Sequence, residues 1–262
     1  MTRFQTTSVC DTTLSRLVRR HLAYWLTLPL ALMSGTALAE EDPLRFSIIE
    51  SGVMPMVQIR DGQAVDGILR DLSMSLADKV GRQARLLVLP RMRVHRALLN
   101  GEIDVRCYVN PDWLTDSYPG YLWSAPFMVQ RDLLVSRSAQ PVAPEGLAGQ
   151  SIGTVLGFNY PTLNALFDNG QLRRNDARTQ GLVLRKLAAG RYDYAISNEL
   201  ALLWFNRGRS EADKLHEVHE LTRDEVACLV RDAPDLPTQA VLEAMRRMQE
   251  NGEFTAILQR YR

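Results

Sequence analysis

The chain is poor in the residues that carry most difficult chemistry. Its 262 residues include three cysteines and four histidines. No CxxC, HExxH or paired His/Cys cluster occurs, so neither a metal nor any other cofactor is expected. None of the histidines (His21, His95, His216 and His219) accompanies a nucleophile in a pattern such as G-x-S-x-G, which argues against a serine or cysteine hydrolase. Neither charge sign dominates, with 31 basic and 30 acidic side chains, so no basic excess is present to hold nucleic acid. No apolar run reaches the roughly 20 residues needed to span a bilayer. Solenoid-period repeats and low-complexity tracts are also missing.

What is present begins with an export-like segment. Arg3, Arg16, Arg19 and Arg20 stand against a single acid, Asp11, and are followed by a short apolar run from Leu22 to Met33 and by Ala37-Leu38-Ala39. A basic start, a short apolar stretch and a small-x-small site read as a secretory signal spanning residues 1–39, with cleavage after Ala39; the alternative is an uncleaved anchor. Cys10 precedes the apolar run and is not placed to be lipid-modified after cleavage. Removal of this segment leaves 27 basic and 29 acidic residues, a net charge of −2. It also leaves two cysteines, Cys107 and Cys228, in a protein bound for an oxidising compartment, where one disulfide or two buried thiols can exist.

The rest of the chain alternates strand and helix signals. Leu44–Glu50 reads as a strand, and Asp61-Gly62 as a turn. Ile68, Leu72, Leu76 and Val80 make one face of a helix over Gly67–Val80. Ala84–Leu89 is a strand, Arg91–Asn100 a helix ended by Gly101, and Ile103–Val109 a third strand. This β-α-β-α-β order predicts a parallel sheet covered by helices. An aromatic loop over Asn110–Pro126 and a strand at Asp132–Ser136 follow. The pattern restarts after a Pro/Ala/Gly linker, with strands at Ser151–Val155 and Tyr192–Ser197 and helices from Pro161, Leu182 and Leu200. Val226–Val230 reads as a late strand, and Leu236–Arg260 as one or two terminal helices.

Several short stretches, in this order, resemble the extracellular solute-binding proteins of family 3, which serve polar amino-acid uptake on the type II periplasmic binding-protein fold. They are Phe46–Pro55, Asp66-Gly67-Ile68-Leu69-Arg70-Asp71-Leu72, Pro90-x-x-Arg93, and Leu98-x-x-Gly101-x-Ile103-Asp104-Val105. Trp123-Ser124-Ala125-Pro126-Phe127, Leu147-Ala148-Gly149-x-x-Ile152-Gly153, Leu187-x-x-Gly190-Arg191-x-Asp193 and Asn251-Gly252-Glu253-Phe254 complete the series. The resemblance implies a two-lobed α/β monomer with a ligand cleft between lobes joined by two crossover strands. Lobe 1 would run over residues 43–130 and return over 223–262, with lobe 2 over 131–222. The resemblance also places Val226–Val230 beside the strand that holds Cys107, within reach of a Cys107–Cys228 bridge.

Candidate ligand residues follow from strand ends and helix starts on that fold. Glu50 ends the first strand, as a cleft residue or a solvated carboxylate. Asp71 either serves the cleft or complements the dipole of its helix. Arg91 and Arg93 open a helix and offer guanidinium groups to a carboxylate, or else form an exposed helix start. Asn110, Trp113 and Trp123 lie on the aromatic loop, in the cleft or packed at the hinge. Phe158, Asn159 and Tyr160 follow Gly157 before a helix, a position that favours an anion or is simply a capped turn. Asn198 and Glu199 follow a lobe 2 strand. In relatives an arginine after the third strand binds the ligand's carboxylate and a lobe 2 aspartate its ammonium. Trp113 and Asn198 stand there in this chain. The expectation is therefore an acidic group on Arg91 or Arg93, with the ligand body against Trp113, Phe158 or Tyr160 and Glu199 within reach of an amine; a ligand that is not a zwitterion is the alternative.

The function implied is capture of a small polar ligand in the periplasm for an ABC-type permease. The alternatives are presentation of ligand to a membrane sensor, and a dehydratase-like enzyme using Glu50 or Glu199 as general acid. The leading expectation is not an enzyme.

Overall fold

A computed structural model describes residues 42–114 and 116–261. The expected export signal lies outside the described residues. Among the described residues no helix is long and apolar enough to cross a membrane.

The first βαβαβ unit forms as its apolar spacing demands. Strand β1 (Leu44–Ile49) pairs in parallel with β4 (Ala84–Leu89) and β5 (Val105–Val109). Between β1 and β4 lie a hairpin, β2 (Gln58–Arg60) and β3 (Gln63–Asp66), and helix α1 (Ile68–Lys79). The hairpin turns on Asp61 and Gly62, both at positive φ, as a tight two-residue turn requires. Helix α1 buries Ile68, Leu72 and Leu76 on one face. Gly67 before it has φ 112°, and a Cβ there would lie 2.6 Å from the Val57 backbone, so the motif glycine is sterically required. Helix α2 (Arg91–Leu99) starts after Pro90 and buries Val94, Ala97 and Leu98.

The second unit contains β8 (Ser151–Val155), α3 (Asn164–Asp168), β9 (Arg173–Ala177), α4 (Gln180–Ala188), β10 (Tyr194–Asn198) and α5 (Glu199–Asn206). Gly153 on β8 leaves room for the Tyr192 ring, whose carbons lie 2.3–2.4 Å from where a Cβ would stand. The predicted helix from Pro161 is a 3₁₀ turn over Pro161–Leu163 followed by the short α3. Strand β9, RRNDA, escapes a hydrophobic reading because it is a polar strand at the sheet edge.

Two long strands connect the units. Strand β7 (Met128–Ser136) runs antiparallel to β11 (His216–Arg231) and to β10. Beyond β7, β11 continues alongside β5 and the short β6 (Tyr121–Trp123). The sheet order is β4-β1-β5-β11-β7-β10-β8-β9, with β6 on β11. The late strand therefore begins ten residues earlier than its apolar part, Val226–Val230, suggests. Register shifts at Glu217/His219 and Glu220/Thr222 break the two-residue alternation that would have marked its polar half. Helices α6 (Thr238–Glu250) and α7 (Glu253–Gln259) close the chain.

The hydrophobic clusters separate along these strands. One gathers Phe46, Leu72, Phe127, Val226, Met248 and Phe254, and another Leu133, Val155, Leu184 and Ala195. Buried Asp104 ties the first unit together by pairing with Arg45 at 2.6 Å and Arg231 at 3.1 Å. Cys107 and Cys228 face one another across β5 and β11 and are joined as a disulfide. Ser124 fastens β6 to the same strand, donating its backbone N–H to the Cys228 carbonyl while its Oγ accepts from the Cys228 N–H.

Candidate functional site

The strand ends and the two connecting strands enclose a cleft of about 250 Å³. The first unit contributes Ile49 at the end of β1, Arg91 at the start of α2, Arg106 and Tyr108 on β5, and Asp112 and Trp113 just beyond. The connecting strands supply Gln130 and Asp132 from β7 and Leu221, Thr222 and Asp224 from β11. The opposite wall is Phe158 to Thr162, Gln180, Ile196 and Asn198.

Two cations stand on the first wall. Arg91 reaches across the cleft, its guanidinium carbon 4.7 Å from the centre of the Phe158 ring. Among the described residues, no carboxylate lies within ion-pair distance of Arg91 or Arg106. Burial lowers the Arg91 pKa, and it lowers that of Arg106 to about 10; Tyr118 acts in the opposite direction. Uncompensated guanidinium groups in a half-closed cleft make a favourable place for an anion.

The floor has the opposite polarity. Asp132 sits on β7 opposite both Asn198 and Thr222. Its pKa is raised to about 6 by burial; a hydrogen bond from Gln130 opposes the shift, and the charge of Asp224 adds to it. Gln130 is 9% exposed and donates its Nε2 to Asp132 Oδ1 at 2.9 Å, but its Oε1 has no hydrogen-bond partner. The buried Thr222 Oγ1 is also without one. Tyr108, beside them on β5, has φ 61°, a strained conformation for a bulky residue, and packs edge-on against Trp113 with ring centroids 6.2 Å apart.

The structure gathers Arg91, Trp113, Phe158, Asn159, Tyr160 and Asn198 around this cleft. Asn198 also caps α5, its Oδ1 accepting the Ala201 N–H at 2.8 Å. Tyr160 is largely core: its hydroxyl accepts the Val155 N–H at 3.0 Å, and Arg174 stacks 5.2 Å from its ring centre. Six candidate residues lie elsewhere. Glu50 is an exposed residue in the turn after β1. Arg93, two positions along α2 from Arg91, is exposed on another side of that helix. Asn110 is committed to the backbone, accepting from the Asp112 N–H and donating to the Glu225 carbonyl. Glu199 lines a separate hollow with Arg131 and ion-pairs with it at 2.6 Å. Trp123 on β6 does not line the cleft, and Asp71 accepts from the Tyr261 hydroxyl at 2.8 Å and pairs with Arg260.

Arg106, Gln130, Asp132 and Thr222 were not expected from sequence. The signal that could have found the first is a lone charge inside an apolar strand, VRCYV. Asp132 heads the apolar run DLLVS in the same way.

No family model matches the chain, and no curated protein does. Solved structures do. An ancestral arginine-binding protein bound to arginine superposes with a TM-score of 0.69 at 17% identity, covering 85% of this chain and 99% of its own. The chain has the type II periplasmic binding-protein fold. ArtJ, the arginine-, lysine-, histidine-binding protein of Geobacillus stearothermophilus, gives a TM-score of 0.65 at 15% identity, covering 84% of this chain and 95% of its own. A histidine kinase sensor domain with similarity to periplasmic binding proteins gives 0.66 at 17%, covering 85% and 96%. In this two-lobed fold the cleft described above lies between the lobes, and β7 and β11 are the two crossover strands.

Proposed function

We propose that this protein is a periplasmic solute receptor that captures a small ligand carrying an acidic group and hands it to an ABC-type importer. The observation that carries this reading is the pair Arg91 and Arg106, cations in an interlobe cleft with no carboxylate among the described residues within ion-pair distance. Arg106 takes the part that sequence had given to Arg93. The ligand's anion would bind these guanidinium groups, its body would lie along Trp113 and Phe158, and closure of the lobes would bury it. Export by the segment over residues 1–39 would put the protein in the periplasm.

The test is thermal denaturation of the purified protein against a panel of small carboxylates and amino acids. A ligand at a hundredfold excess over its dissociation constant should add about 2.7 kcal/mol of stability. Arg91→Ala plus Arg106→Ala should abolish the response. Binding that survives the double substitution would refute this assignment.

A second reading, delivery of ligand to a membrane sensor, draws support from the structural likeness to a histidine kinase sensor domain. A dehydratase-like activity would need a general acid over the ligand. Neither Glu50 nor Glu199 lines the cleft, and turnover of prephenate is the direct assay.

A further inference from the structure

A chain of three side chains joins the cleft to the protein surface. Arg106, on the cleft wall, hydrogen-bonds the hydroxyl of Tyr118, a half-buried residue of the loop after β5. The same hydroxyl lies 3.1 Å from Nδ1 of His95, an exposed residue of α2 whose ring meets the Tyr118 ring edge-on at 5.8 Å. Tyr121, with ring centroids 6.3 Å apart, and the cluster of Val94, Ala97, Leu98 and Ile103 hold the Tyr118 ring in place. Neither Tyr118 nor His95 lines the cleft.

The donors and acceptors along the chain fix where its protons sit. An arginine only donates, so the Tyr118 oxygen accepts from Arg106 and its own proton needs another acceptor. His95 Nδ1 is that acceptor when the imidazole is neutral with its proton on Nε2. A protonated His95 donates from both nitrogens. Its Nδ1–H then meets the Tyr118 proton head-on, and Asp116 Oδ2, 3.6 Å away, offers the imidazolium a charged partner instead. The remaining groups that face Tyr118 are Arg91 on α2 and Tyr121. Arg91 also repels Arg106, so a guanidinium released by Tyr118 is pushed out of the position in which both cations face one anion.

Building on the solute-receptor reading, we infer that Tyr118 is a positioning residue that holds Arg106 beside Arg91, and that His95 gates the hold: the neutral imidazole keeps the chain intact and the imidazolium breaks it. Capture of an anion therefore weakens in mild acid. Because the ligand-competent arrangement needs the neutral imidazole, affinity is full above the range in which histidine titrates and falls as pH drops through it. Asp132 in the same cleft acts the other way, since its protonation removes a negative charge from the surroundings of a bound anion. Substitution of His95 separates the two effects.

Two measurements on the purified protein test this. Without ligand at pH 8.0, long-range proton–nitrogen NMR should show His95, identified by the loss of its signals in His95→Gln, as the Nε2–H tautomer; an Nδ1–H tautomer would overturn the gate. Calorimetry then follows small monocarboxylates and amino acids, whose carboxyl groups are ionised at both pH 6.0 and pH 8.0. Tyr118→Phe keeps the ring packing and removes the hydroxyl, and at pH 8.0 it should bind about fivefold more weakly than the parent, the expected worth of one hydrogen bond. His95→Gln keeps an acceptor for the Tyr118 proton at every pH. It should match the parent at pH 8.0 and bind about fivefold more tightly than the parent at pH 6.0, where Tyr118→Phe should bind as the parent does. An unchanged affinity of Tyr118→Phe at pH 8.0, or equal affinities of parent and His95→Gln at pH 6.0, would overturn the inference and leave the receptor reading standing. Tighter binding by the parent than by His95→Gln at pH 6.0 would show that His95 acts through its charge alone and would also overturn the gate. No binding by any compound of the series would overturn the receptor reading and the gate with it.

Discussion

Asp132 carries its charge where the protein disfavours it, and the sign of the effect can be worked out. Its pKa is raised from the ordinary carboxylate value to about 6 by burial, with the neighbouring Asp224 adding to the rise. A raised folded-state pKa means that the folded protein holds the proton more tightly than the unfolded chain. Stability attributable to this group is therefore full below about pH 4 and is lost as pH rises towards 6. The cost at neutral pH is about 2 kcal/mol, allowing for solvent reaching the cleft. Asp132→Asn should accordingly stabilise the unliganded protein at pH 8 and change little at pH 4, as read by urea unfolding at both values. Equal effects at the two pH values would show that the residue acts by packing. A destabilising charge kept in a cleft fits a binding role. Legibility at this scale was uneven. Arg91, Phe158 and Asn159 follow strand ends, where the fold's logic directs attention. Arg106, Asp132 and Thr222 lie within strands, and only the register of β5, β7 and β11 shows which of their faces turns to the cleft.

Among the elements, β11 carries the largest share of the architecture. It pairs with β7 along its first half and with β5 and β6 along its second, and the Cys107–Cys228 bridge pins that second half to β5. The bridge spans 121 residues of sequence, so its removal releases a long loop in the unfolded chain and should cost about 2–4 kcal/mol. Cys107→Ser with Cys228→Ser should show this loss in urea unfolding, and the exported parent, denatured without reductant, should show no reactive thiol. Two thiols in that assay would contradict the bridge. The apolar segments were legible because their periodicity reports burial directly: α1 shows its face in Ile68, Leu72 and Leu76, and β1 and β8 are short apolar runs. Strand β9 and the first half of β11 were not, since edge position and bulges decouple their residues from any two-residue alternation. Asp104 belongs to this scale as well. It bridges Arg45 on β1 and Arg231 at the end of β11, and Asp104→Ala should cost about 3 kcal/mol in the same unfolding assay by leaving two arginines without their shared partner.

For the whole molecule, the two lobes communicate through β7 and β11 and through a few contacts across the cleft mouth. Val53, in the loop after β1, packs against the lobe 2 cluster of Val155, Val183 and Leu184, and lies close to Gly181 at the start of α4. Arg91 covers the Phe158 ring from the other lobe. These contacts are small beside the nine-residue ladder of β7 on β11, so the balance between open and closed forms should rest on a few side chains and on the ligand. A compact chain of the 223 residues from Glu40 onward has a radius of gyration of about 17 Å, and an open form lies above that value. Removing the ring in Phe158→Ala takes away the surface on which Arg91 rests, and Val53→Asp places a charge against an apolar cluster. Both variants should populate the open form, raising the radius measured by small-angle scattering without ligand. Both should also weaken ligand binding in proportion to the closed fraction lost, because apparent affinity scales with the population competent to bind. Saturating ligand should return each variant to the radius of the liganded parent. If the radii of parent and variants coincide with and without ligand, while affinity still falls, Phe158 and Val53 act as local contacts and the lobes do not hinge.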